Sequence, residues 1–289
     1  MSVLRRAPRR VRLTTLGAAL AASVLGVTML VSPNLAAAAL SAVGGPAVPA
    51  PPASPTSADQ IQNVDQVKTA IKAYYGDRAD TVTVDPVTGV KDLHTFNPDG
   101  AYAHEVEGIT TDAEKYLAKN HTTKAATGTP AILFDIDDTT LNTYNYEIFS
   151  NFVFKSADNA AFVNAGVFPA VPGMVDLANQ ATAEGYTVFF LTGRPEGQRV
   201  GTKANLASVG YGTVPDGNLY LKDLTAPWLS SCATTTPTCT TIQYKSLTRQ
   251  HIESMGYDIV ANLGDQFSDL TGGFADRTFK IPNPNYFLP

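Results

Sequence analysis

The stretch Ala131-Ile-Leu-Phe-Asp-Ile-Asp-Asp-Thr-Thr-Leu141 decides the fold. It begins with an apolar run that ends at Phe134 and is followed by two carboxylates, Asp135 and Asp137. Such a run is typical of a buried parallel strand whose C-terminal end carries a site. Two like charges about 4 Å apart repel by roughly 4 kcal/mol at an effective dielectric constant of about 20. We therefore expect a cation, most simply a metal ion, beside these carboxylates.

Alternating helical and strand-like segments surround this strand. Helical periodicity or glycine-terminated helices are predicted at 59–75, 102–117, 172–184, 197–209 and 244–255. Strands are predicted at 81–84, 186–191, 218–221, 258–263 and 277–281. The first two helices are expected to pack against the sheet. The alternation predicts an α/β fold with a doubly wound, Rossmann-like parallel sheet and helices on both faces.

An aromatic-rich segment, 144–169, separates the first core strand from the next regular helix. It predicts a small cap-like insertion after that strand. Most of its rings are expected to pack in the core, and the alternative is a cap that lines the substrate entrance.

The N-terminal region resembles a targeting segment rather than a domain. Residues 1–39 combine a basic start, an apolar run and small residues, which predicts a cleaved signal peptide; a retained membrane anchor is the alternative. Residues 40–58 are rich in Ala, Pro, Gly and Ser and predict a linker. The folded domain is therefore expected over 59–289, in a secreted protein of the extracellular space or the cell envelope.

The charge excludes two classes of partner. Removal of residues 1–39 takes away five arginines and no acidic residue, so the formal net charge changes from −5 to −10. An acidic protein binds nucleic acid and anionic membranes poorly. We expect neither partner after signal cleavage, and local cations must bind any anionic substrate. The oligomeric state stays open.

Two cysteines, Cys232 and Cys239, lie in a Thr- and Pro-rich stretch. In a secreted chain they predict a small disulfide loop, with two free thiols as the alternative.

Polar and reactive residues follow the predicted core strands. The first strand leads into Asp135 and Asp137, and later strands lead into Thr192, Gly193, Arg194, Asp265 and Asp269. Lys245 opens the helix before the strand that leads into Asp265. Because ligands bind at the carboxyl ends of parallel strands, these segments are expected to converge. Carboxylates without His or Cys favour Mg²⁺, and the donors of Lys245 and Thr192 suit a phosphoryl group. Together these are the parts that phosphoryl transfer requires.

The same motifs resemble the haloacid dehalogenase superfamily, and more closely its secreted acid phosphatase branch, which includes class B acid phosphatases and plant vegetative storage proteins. The resemblance is carried by Phe134-Asp-Ile-Asp-Asp-Thr139, Phe190-Leu-Thr-Gly-Arg-Pro-Glu196, Tyr244-Lys-Ser246, Asn262-Leu-Gly-Asp-Gln-Phe-Ser-Asp-Leu270 and Phe279-Lys-Ile-Pro-Asn-Pro284.

The resemblance implies a role for each matched position. Asp135 would be the nucleophile that forms an aspartyl-phosphate, and Asp137 the general acid and then the base. Thr192 and Gly193 would bind phosphoryl oxygens, and Lys245 would hold nucleophile and phosphate together. Mg²⁺ would be bound by a side-chain oxygen of Asp135, the backbone carbonyl of Asp137, and Asp265.

The roles of the remaining positions stay open between two alternatives each. Asp269 would orient the metal shell, or would only cap a helix. Arg194 could touch the phosphate or pair with a surface acid. Asp138 is expected to start a helix or support the site, and Lys222 is a rival for the role of Lys245.

The sequence thus predicts a secreted, Mg²⁺-dependent acid phosphatase, a hydrolase that acts on small phosphomonoesters through a phospho-aspartate. A non-catalytic storage or binding protein of the same fold, or a phosphotransferase, is the alternative. The natural substrate stays open.

Overall fold

The computed structural model of the protein describes residues 54–124, 128–234 and 238–288. The predicted signal peptide, 1–39, and most of the predicted linker, 40–58, lie outside the described residues. Within the described part of the chain, no helix has both the length and the apolar character needed to cross a membrane.

A five-stranded parallel sheet forms the centre of the fold. Its strands are β3 (Thr129–Phe134), β4 (Thr187–Pro195), β5 (Leu219–Lys222), β6 (Tyr257–Gly264) and β7 (Arg277–Lys280). Their spatial order is β5-β4-β3-β6-β7, so the chain starts in the middle, fills one side, and then crosses to fill the other. This order confirms the doubly wound sheet and places the topological switch point between β3 and β6.

The register brings the carboxyl ends of the central strands to one edge. Phe134 at the end of β3 pairs with Phe190 of β4 on one side and with Leu263 of β6 on the other. The ladder continues one residue further, because the backbone N–H of Asp135 donates to the carbonyl of Leu263 at 2.9 Å. The chain therefore leaves β3 and β6 at the same edge of the sheet, so that the residues after these two strands begin next to each other.

Successive side chains of β3 point to opposite faces of the sheet and enter two separate cores. Ile132 and Phe134 belong to the larger core, and Ala131 and Leu133 belong to the smaller one. Both faces are covered by helices, which explains why β3 has a continuous apolar run instead of an alternating pattern.

The helices are α1 (Val64–Tyr75), α2 (Ala101–Lys124), α3 (Tyr144–Phe149), α4 (Ser156–Ala165), α5 (Met174–Ala183), α6 (Arg199–Leu206), α7 (Ser230–Ala233), α8 (Thr241–Ser254) and α9 (Phe267–Leu270). Helix α2 packs against β3, β6 and α5, as expected, whereas α1 packs mainly against α2. The buried face of α1 places Tyr75 between Tyr102 and Tyr144, with ring centroids 4.4 and 4.3 Å apart.

The strand predicted at 81–84 is wrong. The strand in this region is β1 (Arg78–Asp80), which pairs antiparallel with β2 (Leu93–Thr95). The carboxylate of Asp80 accepts from the backbone N–H groups of Val82 and Thr83 at 2.9 and 3.0 Å, which turns the chain. The alternating valines therefore have no core face to bury, and Val82 is 78% exposed.

The insertion between β3 and α5 contains the short helices α3 and α4. Most of its aromatic rings pack in the larger core, as predicted, and the rings of Tyr146, Phe162 and Phe168 contact one another in a chain. Phe154 is the exception, since it is 72% exposed.

Cys232 and Cys239 form the predicted disulfide. Both are buried in the smaller core beside Leu229 and Tyr244, and Cys239 lies two residues before the start of α8.

Candidate active site

The turn after β3 fixes the direction of the segment that carries Asp135 and Asp137. Backbone N–H groups of Thr139, Thr140 and Leu141 all donate to the carbonyl of Ile136, which folds the chain tightly. Asp138 adopts a left-handed conformation with φ of 55°, which Asp tolerates better than most residues. The turn therefore places Asp135 and Asp137 at the end of the strand, and the side chain of Asp138 is fully buried behind them.

Asp138 supports the site rather than facing it. Its carboxylate is fully buried and accepts from the backbone N–H and the hydroxyl of Thr143 at 2.9 and 2.6 Å. Burial raises the pKa of Asp138 to about 6, while the hydrogen bonds from Thr143 act in the opposite direction. Because Thr143 precedes α3, this contact connects the insertion to the turn after β3, in agreement with the predicted helix-start or supporting role.

Lys245 connects two of the carboxylates. Its ammonium lies 2.5 Å from Oδ1 of Asp135, 3.1 Å from Oδ1 of Asp269 and 2.6 Å from the carbonyl oxygen of Leu191. Burial acts to lower the pKa of Lys245, but the negative charges of Asp135 and Asp269 raise it above its ordinary value. The lysine at this site is thus Lys245, and not its rival Lys222.

Helix α8 positions this lysine. The helix begins at Thr241, three residues earlier than the sequence indicated, because Thr240 and Gln243 form a capping box. Tyr244 then anchors the first turn through its hydroxyl, which donates to the carbonyl of Thr192 at 3.0 Å. The side chain of Lys245 is thereby aimed at the ends of β3 and β4.

Three carboxylates from two strand ends meet at the switch point. Asp135, Asp265 and Asp269 each offer an oxygen within 4.8 Å of the others, and all three are buried. Burial raises the pKa of Asp265 well above its ordinary value, and the charges of Asp269 and Asp135 raise it further. Burial likewise raises the pKa of Asp135 to about 7, although the charge of Lys245 opposes this.

This donor set fits a hard divalent cation. It consists of carboxylate oxygens with neither nitrogen nor sulfur, which is the preference of Mg²⁺ rather than Zn²⁺. One lysine cannot neutralise three buried carboxylates, so a further positive charge would lower the electrostatic cost of the cluster. The side chain of Asp137 is not part of this cluster.

The segment after β6 is held by its own side chains. Asp269 accepts from the backbone N–H of Gln266 at 2.9 Å, and Asp265 accepts from the side-chain amide of Gln266 at 2.6 Å. Asp269 passes very close to Gly264, where a Cβ atom would lie 2.4 Å from the Cβ of Asp269. The sequence Gly264-Asp265 therefore needs its glycine for the close approach of Asp269. Asp269 caps α9, as one of its two predicted roles requires, and its carboxylate also belongs to the cluster.

Arg194 and Asp137 form a second charged group. The guanidinium contacts the carboxylate through Nη2 at 2.6 Å and through Nε at 3.1 and 3.2 Å. Arg194 is itself buried, donates to the hydroxyl of Thr202 at 2.9 Å and stacks over the ring of Phe168. Arg194 therefore pairs with an acid, as one alternative predicted, but this acid is the half-buried Asp137 of the site, because β4 continues to Pro195 and directs the arginine side chain there.

Thr192 and Gly193 directly precede Arg194 in β4. Thr192 is fully buried, and its hydroxyl accepts from the backbone N–H of Arg194 at 3.1 Å. Gly193 is exposed, and a Cβ atom there would meet no heavy atom within 4 Å. The backbone at Gly193 is consequently open to a ligand.

The C-terminal tail supplies residues for which the sequence analysis assigned no role. The amide of Asn283 donates to Asp265 at 2.6 Å and to Asp138 at 3.4 Å. The hydroxyl of Tyr286 is buried near the aspartates of the site, and burial together with those charges raises its pKa well above the ordinary value. Asn283 lies in Phe279-Lys-Ile-Pro-Asn-Pro284, one of the motifs that carry the family resemblance, and this was the available sequence signal; Tyr286 had none.

Comparisons with known proteins show the family to which this chain belongs. Residues 58–289 match the family described as HAD superfamily, subfamily IIIB (acid phosphatase). Stem 28 kDa glycoprotein of Glycine max is 35% identical over 161 residues, which are 54% of this chain and 59% of that protein. Acid phosphatase 1 of Solanum lycopersicum is 31% identical over 191 residues, 65% of this chain and 69% of that protein.

A solved structure supports the fold alone. The class C acid phosphatase from Bacillus anthracis superimposes with a TM-score of 0.50 and 20% identity, over 64% of this chain and 80% of the other. The chain thus spans 59% of the Glycine max relative's length and a larger share of the Bacillus anthracis phosphatase. On the match over residues 58–289, the chain belongs to the acid phosphatase subfamily IIIB of the haloacid dehalogenase superfamily.

Proposed function

We propose that this protein is a Mg²⁺-dependent acid phosphatase that hydrolyses small phosphomonoesters through a phospho-aspartate. The observation that carries the proposal is the ammonium of Lys245 between Asp135 and Asp269, with Asp265 in the same cluster. A fixed cation beside a carboxylate at a strand end is the arrangement that a carboxylate nucleophile for phosphate requires.

The proposed reaction gives each of these side chains one role. An oxygen of Asp135 attacks phosphorus, and the bond to the ester oxygen breaks as Asp137 gives that oxygen a proton. Asp137 then takes a proton from water, whose oxygen attacks the aspartyl-phosphate, so that inorganic phosphate leaves and Asp135 is restored. Lys245 holds Asp135 in place, and Thr192 and the backbone of Gly193 donate to phosphoryl oxygens.

Arg194 has to change partner during this cycle. In the structure it holds the carboxylate of Asp137, at 2.6 Å at the closest. A bound phosphate offers the guanidinium a second bidentate partner. We infer that substrate binding draws Arg194 toward the phosphate and frees Asp137 to face the leaving oxygen.

Mg²⁺ would be held by Asp135, the backbone carbonyl of Asp137 and Asp265, with Asp269 orienting the shell. When bound, it would neutralise charge that builds up on the phosphoryl oxygens. Titration calorimetry with Mg²⁺ should detect one binding event per chain, which Asp265→Asn abolishes. An unchanged binding isotherm for that variant would contradict the assignment, whatever the activity.

The same proposal covers secretion. Residues 1–39 would be removed as a signal peptide, and residues 40–58 would act as a linker. Relatives named glycoproteins support an exported protein. Sequencing the N-terminus of protein recovered from the culture medium tests this, since a retained membrane anchor would keep the protein in the membrane fraction.

The test of catalysis is Asp135→Asn with p-nitrophenyl phosphate, in the presence of Mg²⁺ and of a chelator. Loss of the nucleophile should lower kcat by roughly 10³-fold or more without unfolding the protein. The matched control is Asp92→Asn at an exposed aspartate, which should leave kcat unchanged. Turnover retained by Asp135→Asn would exclude the phospho-aspartate route.

The alternatives are separated by the same assay. Relatives include vegetative storage protein 2 of Arabidopsis thaliana, but the presence of Asp135 supports a catalytic protein. A storage protein would show no turnover in the unsubstituted chain. A phosphotransferase would give a new phosphate ester when an alcohol acceptor is added.

A further inference from the structure

The tail after β7 returns to the cluster of aspartates. The backbone N–H of Ile281 donates to the carbonyl of Gly264 at 2.9 Å, which continues the pairing of β7 with β6 by one residue. Ile281 is fully buried, and Asn283 follows it two residues later. The tail therefore brings the side chain of Asn283 to the end of β6, where Asp265 lies.

The orientation of the Asn283 amide is set within the tail. Its side-chain oxygen accepts from the backbone N–H of Asn285 at 2.8 Å. Because an amide carries its oxygen on one side and its two N–H groups on the other, this contact directs the N–H groups toward the aspartates. The amide nitrogen lies 2.6 Å from Oδ2 of Asp265 and 3.4 Å from Oδ2 of Asp138. A single amide thus connects the turn after β3 with the end of β6.

Two amides meet on the same oxygen of Asp265. Its Oδ2 accepts from Asn283 and also from the side-chain amide of Gln266, each at 2.6 Å. The tail orients Gln266 as well, because the backbone N–H of Leu288 donates to Oε1 of Gln266 at 2.8 Å. Among the described residues, the donor to the other oxygen, Oδ1, is the hydroxyl of Thr139 at the longer distance of 3.4 Å. Oδ1 is therefore the oxygen of Asp265 that stays available to a cation.

The partners of the clustered carboxylates differ in charge. Asp135 and Asp269 share the ammonium of Lys245, whereas the amide of Asn283 that holds Asp265 is neutral. A neutral donor fixes a carboxylate without cancelling its charge, so the full attraction of Asp265 for a divalent cation is kept. Side chains that orient a metal ligand in this way typically change metal affinity by roughly 10- to 100-fold.

We propose that Asn283 is a positioning residue for Mg²⁺: its amide holds Oδ2 of Asp265 and thereby leaves Oδ1 to bind the ion. Its hydrogen bonds in the described part of the chain are with Asp265, Asp138 and Asn285, so it acts on the reaction through Asp265. This inference rests on the proposed function, and it adds the C-terminal tail to the parts of the chain that build the metal site.

The test is the affinity for Mg²⁺ of Asn283→Ala and Asn283→Ser, measured by titration calorimetry. Asn283→Ser keeps an oxygen that can accept from the backbone N–H of Asn285, but it has no amide to reach Asp265. Both variants should bind Mg²⁺ roughly 10- to 100-fold more weakly than the unsubstituted protein. If Asn283→Ala does not fold, Asn283→Ser alone decides the comparison, because it keeps the turn in the tail.

Kinetics separate this role from a general loss of structure. The Mg²⁺ concentration that gives half of the maximal rate on p-nitrophenyl phosphate should rise by the same factor, roughly 10- to 100-fold. At saturating Mg²⁺, kcat should return to within about three-fold of the unsubstituted value, because the residues assigned to the reaction are all present.

The matched control is Asn285→Ala in the same tail. The amide of Asn285 donates to the hydroxyl of Tyr75 at 3.1 Å instead of to an aspartate, and the backbone N–H that orients Asn283 is kept in this variant. Asn285→Ala should lower the midpoint of urea unfolding in chelator, since the tail loses a contact, but it should leave the affinity for Mg²⁺ unchanged.

The possible results distinguish this inference from the proposed function. If both Asn283 variants bind Mg²⁺ as tightly as the unsubstituted protein, or if Asn285→Ala weakens binding equally, the positioning role is excluded while the proposed function stands. A kcat that stays low at saturating Mg²⁺ would exclude it as well. If the unsubstituted protein itself binds no Mg²⁺, the metal requirement of the proposed function fails, and the inference fails with it.

Discussion

At the scale of single residues, the site holds several buried negative charges close together, and Lys245 neutralises part of that charge. Its ammonium is within 3.1 Å of two aspartates that repel each other. Removing one member of a buried ion pair commonly costs 3–5 kcal/mol, roughly, because the remaining charge has no compensation. We therefore expect the lysine to stabilise the fold as well as to serve the proposed reaction.

We predict that Lys245→Met lowers the free energy of unfolding by about 3 kcal/mol in chelator and lowers kcat for p-nitrophenyl phosphate by at least roughly 10²-fold. Urea unfolding and steady-state kinetics measure the two effects. Lys222→Met is the matched control at the rival lysine, which is half-buried at the end of β5. A large loss of activity in the control, with little in Lys245→Met, would reverse the assignment of the lysine.

At the scale of elements, the parts that repeat a simple pattern were predictable. The apolar runs that end at Phe134 and Leu263 gave the strands, and parallel pairing then required that the residues after them meet. The helix ends at Gly185 and Gly256 were also readable, since both glycines adopt positive φ. The elements that form the sheet followed from local chemistry.

The parts that depend on contacts distant in the chain were not predictable. The contact of Asn283 with Asp265 joins two elements through a side-chain amide, which leaves no periodic trace in the sequence. The ion pair between Arg194 and Asp137 depends on how far β4 continues, and the sequence suggested an end at Leu191. The strand predicted at 81–84 was wrong because the alternation of apolar residues does not by itself reveal whether one face of the segment packs against the rest of the protein.

The junction between β6 and α9 allows a test at this scale. A Cβ atom at Gly264 would lie 2.4 Å from the Cβ of Asp269, so Gly264→Ala must displace Asp269. We predict that Gly264→Ala binds Mg²⁺ at least about ten-fold more weakly, as measured by calorimetry. Overpacking should also lower its free energy of unfolding by roughly 1–3 kcal/mol.

The control for that junction is Gly108→Ala in α2, where a Cβ atom meets nothing within 4 Å. It should leave Mg²⁺ binding unchanged and stabilise the protein by roughly 0.5–1 kcal/mol, as alanine does within helices. If Gly264→Ala binds Mg²⁺ like the control does, the close approach is not what positions Asp269.

At the scale of the whole molecule, two cores on opposite faces of one sheet support a concentrated negative charge at the sheet edge. Hydrophobic contacts on both faces fix β3 and β6, so the carboxylates cannot move apart to relieve their repulsion. The fold therefore holds the cluster together, and protons or a metal ion must supply the missing positive charge. Stability should for this reason depend on pH and on Mg²⁺ together.

The sign of that dependence follows from the raised pKa values. Asp135 has a pKa of about 7 in the folded protein, and that of Asp265 is raised well above its ordinary value, mainly through burial. In the unfolded chain both are near about 4. Between these values the folded state binds more protons than the unfolded state, so the free energy of unfolding decreases as the pH rises.

We therefore predict that the melting temperature in chelator falls between about pH 5 and about pH 8, and that Mg²⁺ restores more of it at the higher pH, where the carboxylates are free to bind metal. At a concentration 100 times its Kd, Mg²⁺ should raise the free energy of unfolding by about 2.7 kcal/mol. Differential scanning calorimetry at constant ionic strength measures both effects, and Asp265→Asn should reduce both. The melting temperature could instead rise with pH in chelator, or the Mg²⁺ effect could be larger in acid. Either result would contradict the inference that the electrostatic cost of burying these carboxylates, which a divalent ion reduces, governs the stability of the site.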